Sequence, residues 1–170
     1  MMDTTENRSE AAFSAEMERR VARLETRFYD WNTLGFQANV DTSYRRAQIR
    51  YIGTGAAGVL KDDNTVPAGS FTFSNMVLPA GSRGPLHVHD DAEEVFFVLR
   101  GKKIVMEFEK DGMRCTKVLN ERDLVSVPPG VYRSFHNEGG DEALLAVVIG
   151  ARQPQLPNYH PEDPIHGTSR

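Results

Sequence analysis

The sequence predicts an all-β domain, an antiparallel sandwich or small barrel, and three observations carry that expectation. Between about Ala47 and Ile149 the apolar residues come in short alternating runs: AQIRYIG, SFTFSNMVL, EEVFFVL, KKIVMEFE, RCTKVL, DLVSV and EALLAVVI. Turn-forming stretches separate them, among them TGAAG, DDNT, PAGSRGP, KDG, NERD, PPG and NEGGD. No helical pattern interrupts the series, so the strands must pack against one another.

A chain of 170 residues suits one domain with short appendages. The expected division is an N-terminal helix and arm over 1–46, a barrel over 47–150 and a proline-rich tail over 151–170. The helix is placed from about Ser9 to Arg27, where Phe13, Met17, Val21, Leu24 and Phe28 recur every three or four residues. A lone amphipathic helix is marginal in water, so its stripe should pack on the domain or on a second subunit. The tail, ARQPQLPNYHPEDPIHGTSR, holds four of the nine prolines and reads as an extended arm on the surface or on a partner chain. Its histidines, His160 and His166, rank low as metal ligands.

Composition is that of an ordinary soluble protein, with mean hydropathy −0.46. No run approaches the ~20 apolar residues of a membrane span, so no membrane partner is expected. The start, MMDTTENRSE, lacks a signal-peptide pattern. A net charge of −4 argues against nucleic acid, which asks for a basic surface. The single cysteine, Cys115, excludes an internal disulfide and fits a reducing, cytoplasmic setting. Lying in a strand-like run, it is expected to be packed or inert.

The stretch HVHDDAEE, residues 87–94, carries the chemistry. Residues two apart on a strand share a face, so His87 and His89 project together. A turn follows, and Glu94 opens the next strand on the same side as Phe96 and Val98. Two imidazoles and a carboxylate can converge on one ion and leave coordination positions open. Glu93 has the opposite parity and ranks second, and Asp90 and Asp91 belong to the solvated turn. The plainer reading is an acidic hairpin with two solvated histidines.

The spacing of Gly81, His87, His89, Glu94 and Gly101 resembles the first motif of the cupin superfamily. A second stretch, RDLVSVPPGVYRSFHN, resembles the second motif at Pro128, Gly130 and Asn137. It departs from the motif at Arg122, where glycine is usual, and at Arg133, where a further histidine ligand is usual. The resemblance covers roughly residues 70–150. It implies a double-stranded β-helix (the cupin, jelly-roll-like barrel), a divalent ion on His87, His89 and Glu94, and a homodimer. Iron(II), Fe(II), comes first among the metals, with Mn, Ni or Zn as alternatives. The activity implied is that of an oxygenase or dioxygenase on a small anionic molecule, aromatic acids included. The alternatives are a non-catalytic small-acid binder or sensor, and a metal-dependent isomerase or lyase.

Arginine has no lone pair to give a metal. Arg133 therefore either holds a substrate anion in a two-pronged contact or pairs with Glu93 or Glu94. Phe96 and Met106 are expected to line the substrate pocket with it, Met106 facing inward beside Ile104 and Phe108. His136 lies three residues beyond Arg133 and should face away, leaving Phe135 inside.

Overall fold

Alternation along each strand decides what is buried. In the computed structural model, which describes residues 4–168, ten strands pair antiparallel into two five-stranded sheets. They are β1 (Ala47–Ile52), β2 (Thr72–Leu78), β3 (His87–Val88), β4 (Glu94–Arg100), β5 (Ile104–Lys110), β6 (Met113–Leu119), β7 (Leu124–Val127), β8 (Tyr132–Asn137), β9 (Ala143–Ile149) and β10 (Asn158–Tyr159). The first sheet runs β1-β2-β9-β4-β7 and the second β10-β3-β8-β5-β6. This is the double-stranded, jelly-roll arrangement that the sequence predicts.

The core lies between the sheets. Met76, Leu78, Phe96, Val98 and Leu145 from the first meet Ile104, Met106, Leu119 and Phe135 from the second. The Phe96 and Phe135 rings approach to 6.0 Å across the gap. Each such side chain contributes roughly 1.5–3 kcal/mol on leaving water. On β4, Glu94, Phe96 and Val98 are buried while Val95 and Phe97 are half-buried; on β8, Arg133, Phe135 and Asn137 are the buried set.

A second, smaller cluster covers the outer face of the first sheet, where Ala47, Ile49 and Val77 pack with Trp31, Tyr51 and Leu144. Arg50 fastens that layer: its Nη1 donates to Asp30 and its Nε to Asp62, each at 2.8 Å.

Three expectations need correction. The first helix, α1 (Thr4–Glu18), stops well short of Arg27. The Arg20 and Val21 N–H groups bond the carbonyls of Met17 and Glu18, tight three-residue links that close a helix. Its apolar stripe stays 43% to 64% exposed, uncovered by the described residues. A short α2 (Gly35–Val40) follows in the arm. Cys115 is exposed, because β6 is an edge strand paired only with β5.

The tail lies on the domain itself. Its β10 joins the second sheet beside β3, and Ile165 is fully buried. No described helix is long and apolar enough to cross a membrane.

Candidate metal centre

Both sheets contribute to the site. Strand β3 brings His87, paired with Arg133 of β8 on one side and Tyr159 of β10 on the other. His89 follows directly, its carbonyl accepting from Gly130 N–H at 3.0 Å. Glu94 opens β4 in the opposite sheet, between Val127 and Ile149. The Nε2 atoms of His87 and His89 lie 3.8 and 3.9 Å from Glu94 Oε2. One donor atom from each of the three residues falls within 4.8 Å of the others, and all three are buried. Two ligands at right angles on an ion at ~2.1 Å lie ~3 Å apart, and each histidine–carboxylate distance is within an ångström of that spacing.

Protonation suits the same purpose. His87 Nδ1 lies 2.8 Å from the Pro85 carbonyl, which can only accept, so Nδ1 carries a proton and Nε2 is the nitrogen turned toward Glu94. Burial pushes His89 down to about 4, outweighing the charge of Glu94, so its imidazole is neutral at neutral pH. Burial would raise Glu94, but its polar contact with His87 and the positive charge of Arg133 hold it at about 2. A neutral His89 imidazole and an ionised Glu94 carboxylate, with His87 Nε2 turned toward them, are a donor set that a divalent first-row ion takes. His89 Nδ1 has no hydrogen-bond partner, which leaves the ring untied by any competing contact. The residues fit the metal.

Arg133 is fully buried and donates from Nε to Glu94 Oε2 at 3.0 Å and from Nη1 to Val131 O at 2.9 Å. Of the two roles open to it, the structure places it on Glu94. A carboxylate oxygen has two lone pairs, so this contact leaves room for a metal bond. Arg133 Nη2 remains buried without a hydrogen-bond partner.

Beside the triad is a cavity of about 60 Å³. Phe96, Phe135, Met76 and Val147 give it apolar walls, and Arg46, Gln37, Gln48 and Tyr159 add polar ones. Phe96 lines this cavity, whereas Met106 is fully buried in the core and neither it nor Arg133 lines the cavity. His136 is half-exposed, 3.4 Å from Glu138. His160 Nε2 lies 3.1 Å from Glu109 Oε1, its ring against Tyr132, and His166 is exposed. None of these three joins the triad.

Sequence reasoning missed Arg46. The signal was present in RRAQI, where Ala47 and Ile49 take the apolar outer face and Arg46 and Gln48 the other. Arg46 Nε, Gln37 Oε1 and Gln48 Oε1 are all buried without a hydrogen-bond partner. Each such group costs roughly 1–3 kcal/mol in a finished fold.

Residues 74–150 match the family described as the cupin domain. No curated protein matches the sequence. Among solved structures, an oxalate oxidase aligns at 18% identity over 68% of this chain and 56% of its own, with a TM-score of 0.52. CapF, a capsular polysaccharide assembling protein from Staphylococcus aureus, aligns at 15% identity over 74% of this chain and 30% of its own, with a TM-score of 0.53. The chain spans about half the length of these proteins or less, and the likeness concerns the fold. Motif spacing, sheet order and family match agree that residues 74–150, with the strands that flank them in both sheets, have the cupin fold.

Proposed function

We propose that this cupin holds a divalent first-row metal ion on His87, His89 and Glu94 and acts beside it on a small carboxylic acid, as an oxygenase or dioxygenase. The observation that carries the reading is the convergence of three buried donors at the wall of a cavity. A bound ion of this kind supplies Lewis acidity and open coordination positions. The chain's own residues do the rest. Pro85 O fixes the His87 tautomer, Arg133 keeps Glu94 ionised, and Phe96, Phe135 and Val147 limit water around the reacting atoms. Iron(II) is the first choice, with Mn, Ni and Zn behind it.

Cavity size narrows the substrate. One water needs ~10–15 Å³ of such space, and a cavity that takes benzene measures ~150 Å³. The cavity here therefore favours a short aliphatic acid over an aromatic one. Homodimerisation belongs to the same reading, since it would cover the exposed stripe of Phe13 and Met17 on α1.

A second reading, a non-catalytic small-acid binder, is favoured by one observation: the Arg133–Glu94 pair balances the site's charge without a metal. Oxygen uptake with short acids separates the two. Activity retained with zinc alone would point instead to an isomerase or lyase.

The first test is elemental analysis of protein purified without affinity tag or chelator, beside the His87→Ala/His89→Ala variant. The expected result is about one ion per chain, lost in the variant while the β-sheet circular-dichroism spectrum is kept. A variant that retains its metal, or a wild type that takes none on anaerobic reconstitution, overturns the ligand assignment.

A further inference from the structure

The residues from Leu34 to Gln48 lie outside the matched cupin domain, yet they furnish much of the polar lining of its cavity. Arg46 is only 5% exposed. Its Nη1 donates to Tyr44 O at 3.0 Å, and its guanidinium sits 5.5 Å from the centre of the Phe135 ring. Burial pushes its pKa down to about 10, which still leaves it charged at neutral pH. It forms no ion pair among the described residues, and its Nε–H has no partner. Glu94, the carboxylate of the cavity, is already engaged by Arg133. A buried cation without a counter-ion is costly unless an anion is supplied from outside.

Two acceptors accompany this donor. Gln37 donates from Nε2 to Tyr159 OH at 2.9 Å, which orients its amide and leaves Oε1 as the unpartnered atom. Gln48 Oε1 is likewise unpartnered, and Gln48 shares its strand face with Met76, another residue of the cavity wall. Buried polar atoms are satisfied almost everywhere in folded proteins. Four residues of this cavity wall are exceptions: His89 belongs to the triad, and the other three, a charged donor and two acceptors, describe a ligand with the opposite pattern.

We infer that the cavity takes a short-chain hydroxy acid, its carboxylate on Arg46 and its hydroxyl groups donated to Gln37 and Gln48. The inference rests on the proposed function for the ligand's place beside the triad; the anion contact itself needs no metal. Specificity then comes from residues that precede the matched segment 74–150, and catalysis from the motif within it.

The test uses propionate, lactate and glycerate, which share a three-carbon carboxylate and carry none, one and two hydroxyls. Calorimetric titration of the full chain, with metal content measured on the same samples, should show affinity rising in that order. Arg46→Gln should weaken glycerate binding at least tenfold with metal content unchanged, and Arg46→Lys should fall between. Gln48→Met should lower the preference for glycerate over propionate while leaving the melting temperature equal or higher, because it removes an unpartnered amide. If Arg46→Gln does not fold, Arg46→Lys and Gln48→Met decide the matter. Wild-type affinity for glycerate in the Arg46 variants overturns the inference. So does a Gln48→Met protein that melts earlier and keeps the preference, or a wild type that binds none of the three acids. The metal reading fails separately: a wild type without metal but with Arg46-dependent glycerate binding removes the ion and keeps the acid site.

Discussion

Arg122 adopts φ +71°, the left-handed region that side chains with a Cβ avoid at a cost of roughly 1–2 kcal/mol. The conformation is needed because its N–H reaches back to Val98 O at 2.8 Å while the following residue, Asp123, closes a turn onto Asn120. Glycine would hold this shape without strain, which is the physical content of the motif's usual glycine here. Arg122→Gly should therefore raise stability by about 0.5–1 kcal/mol once the extra freedom of an unfolded glycine is subtracted. The measurement is a denaturant midpoint shifted upward at unchanged slope. A lowered midpoint would show that the exposed arginine makes contacts worth more than the strain. Arg133, the other departure from the motif, was legible only in part. Its inability to bind metal follows from its chemistry, but the choice between substrate anion and Glu94 depends on a partner 39 positions away in sequence.

Among elements, the decisive one is a strand of two residues. β10 pairs Tyr159 with His87, and the segment after it is pinned by Asp163, which accepts from Tyr44 OH at 3.0 Å and from Leu86 N–H at 2.7 Å. Asp163 thus fixes the backbone directly before the first histidine. Asp163→Ala should free the tail from β3, loosening the metal about tenfold in a chelator competition and opening residues 151–168 to limited proteolysis. Unchanged affinity would place the tail outside the site's support. Strands β1, β2, β4–β7 and β9 were readable because each runs through at least four residues between turn-forming stretches. β10 was not, since two residues carry no period and its pairing is chosen by a distant edge. The helix ran long in the sequence reading for the converse reason: spacing continues through Val21 and Leu24, but no described surface receives that face and the backbone turns at Arg20.

On the scale of the whole molecule, the arm and the barrel are joined by charge. Hydrogen bonds from Thr33, Arg50 and Asn32 outweigh burial and hold Asp30 at about 2, while Ser43 and Arg83 do the same for Asp41. Both values are depressed from the ordinary 3.8, so their stabilisation is complete above that pH and is lost as pH falls toward 2. Thermal melts should therefore be level down to about pH 4 with respect to these groups. Below it the arm should detach, reported by Trp31 fluorescence, before the β-sheet signal is lost. Simultaneous loss of both signals would mean that arm and barrel unfold as one unit.

The β10–β3 pairing also bears on how the protein is made. The centre's three donors are complete once residue 94 has been added, but the strand that carries His87 is then bordered on neither side, because β8 and β10 both come later. More than sixty further residues must leave the ribosome before Tyr159 can take its place beside His87 and Asp163 can hold Leu86. The centre is therefore completed late in translation, and a nascent chain stalled before residue 159 carries all three metal-binding side chains without the edge that steadies them.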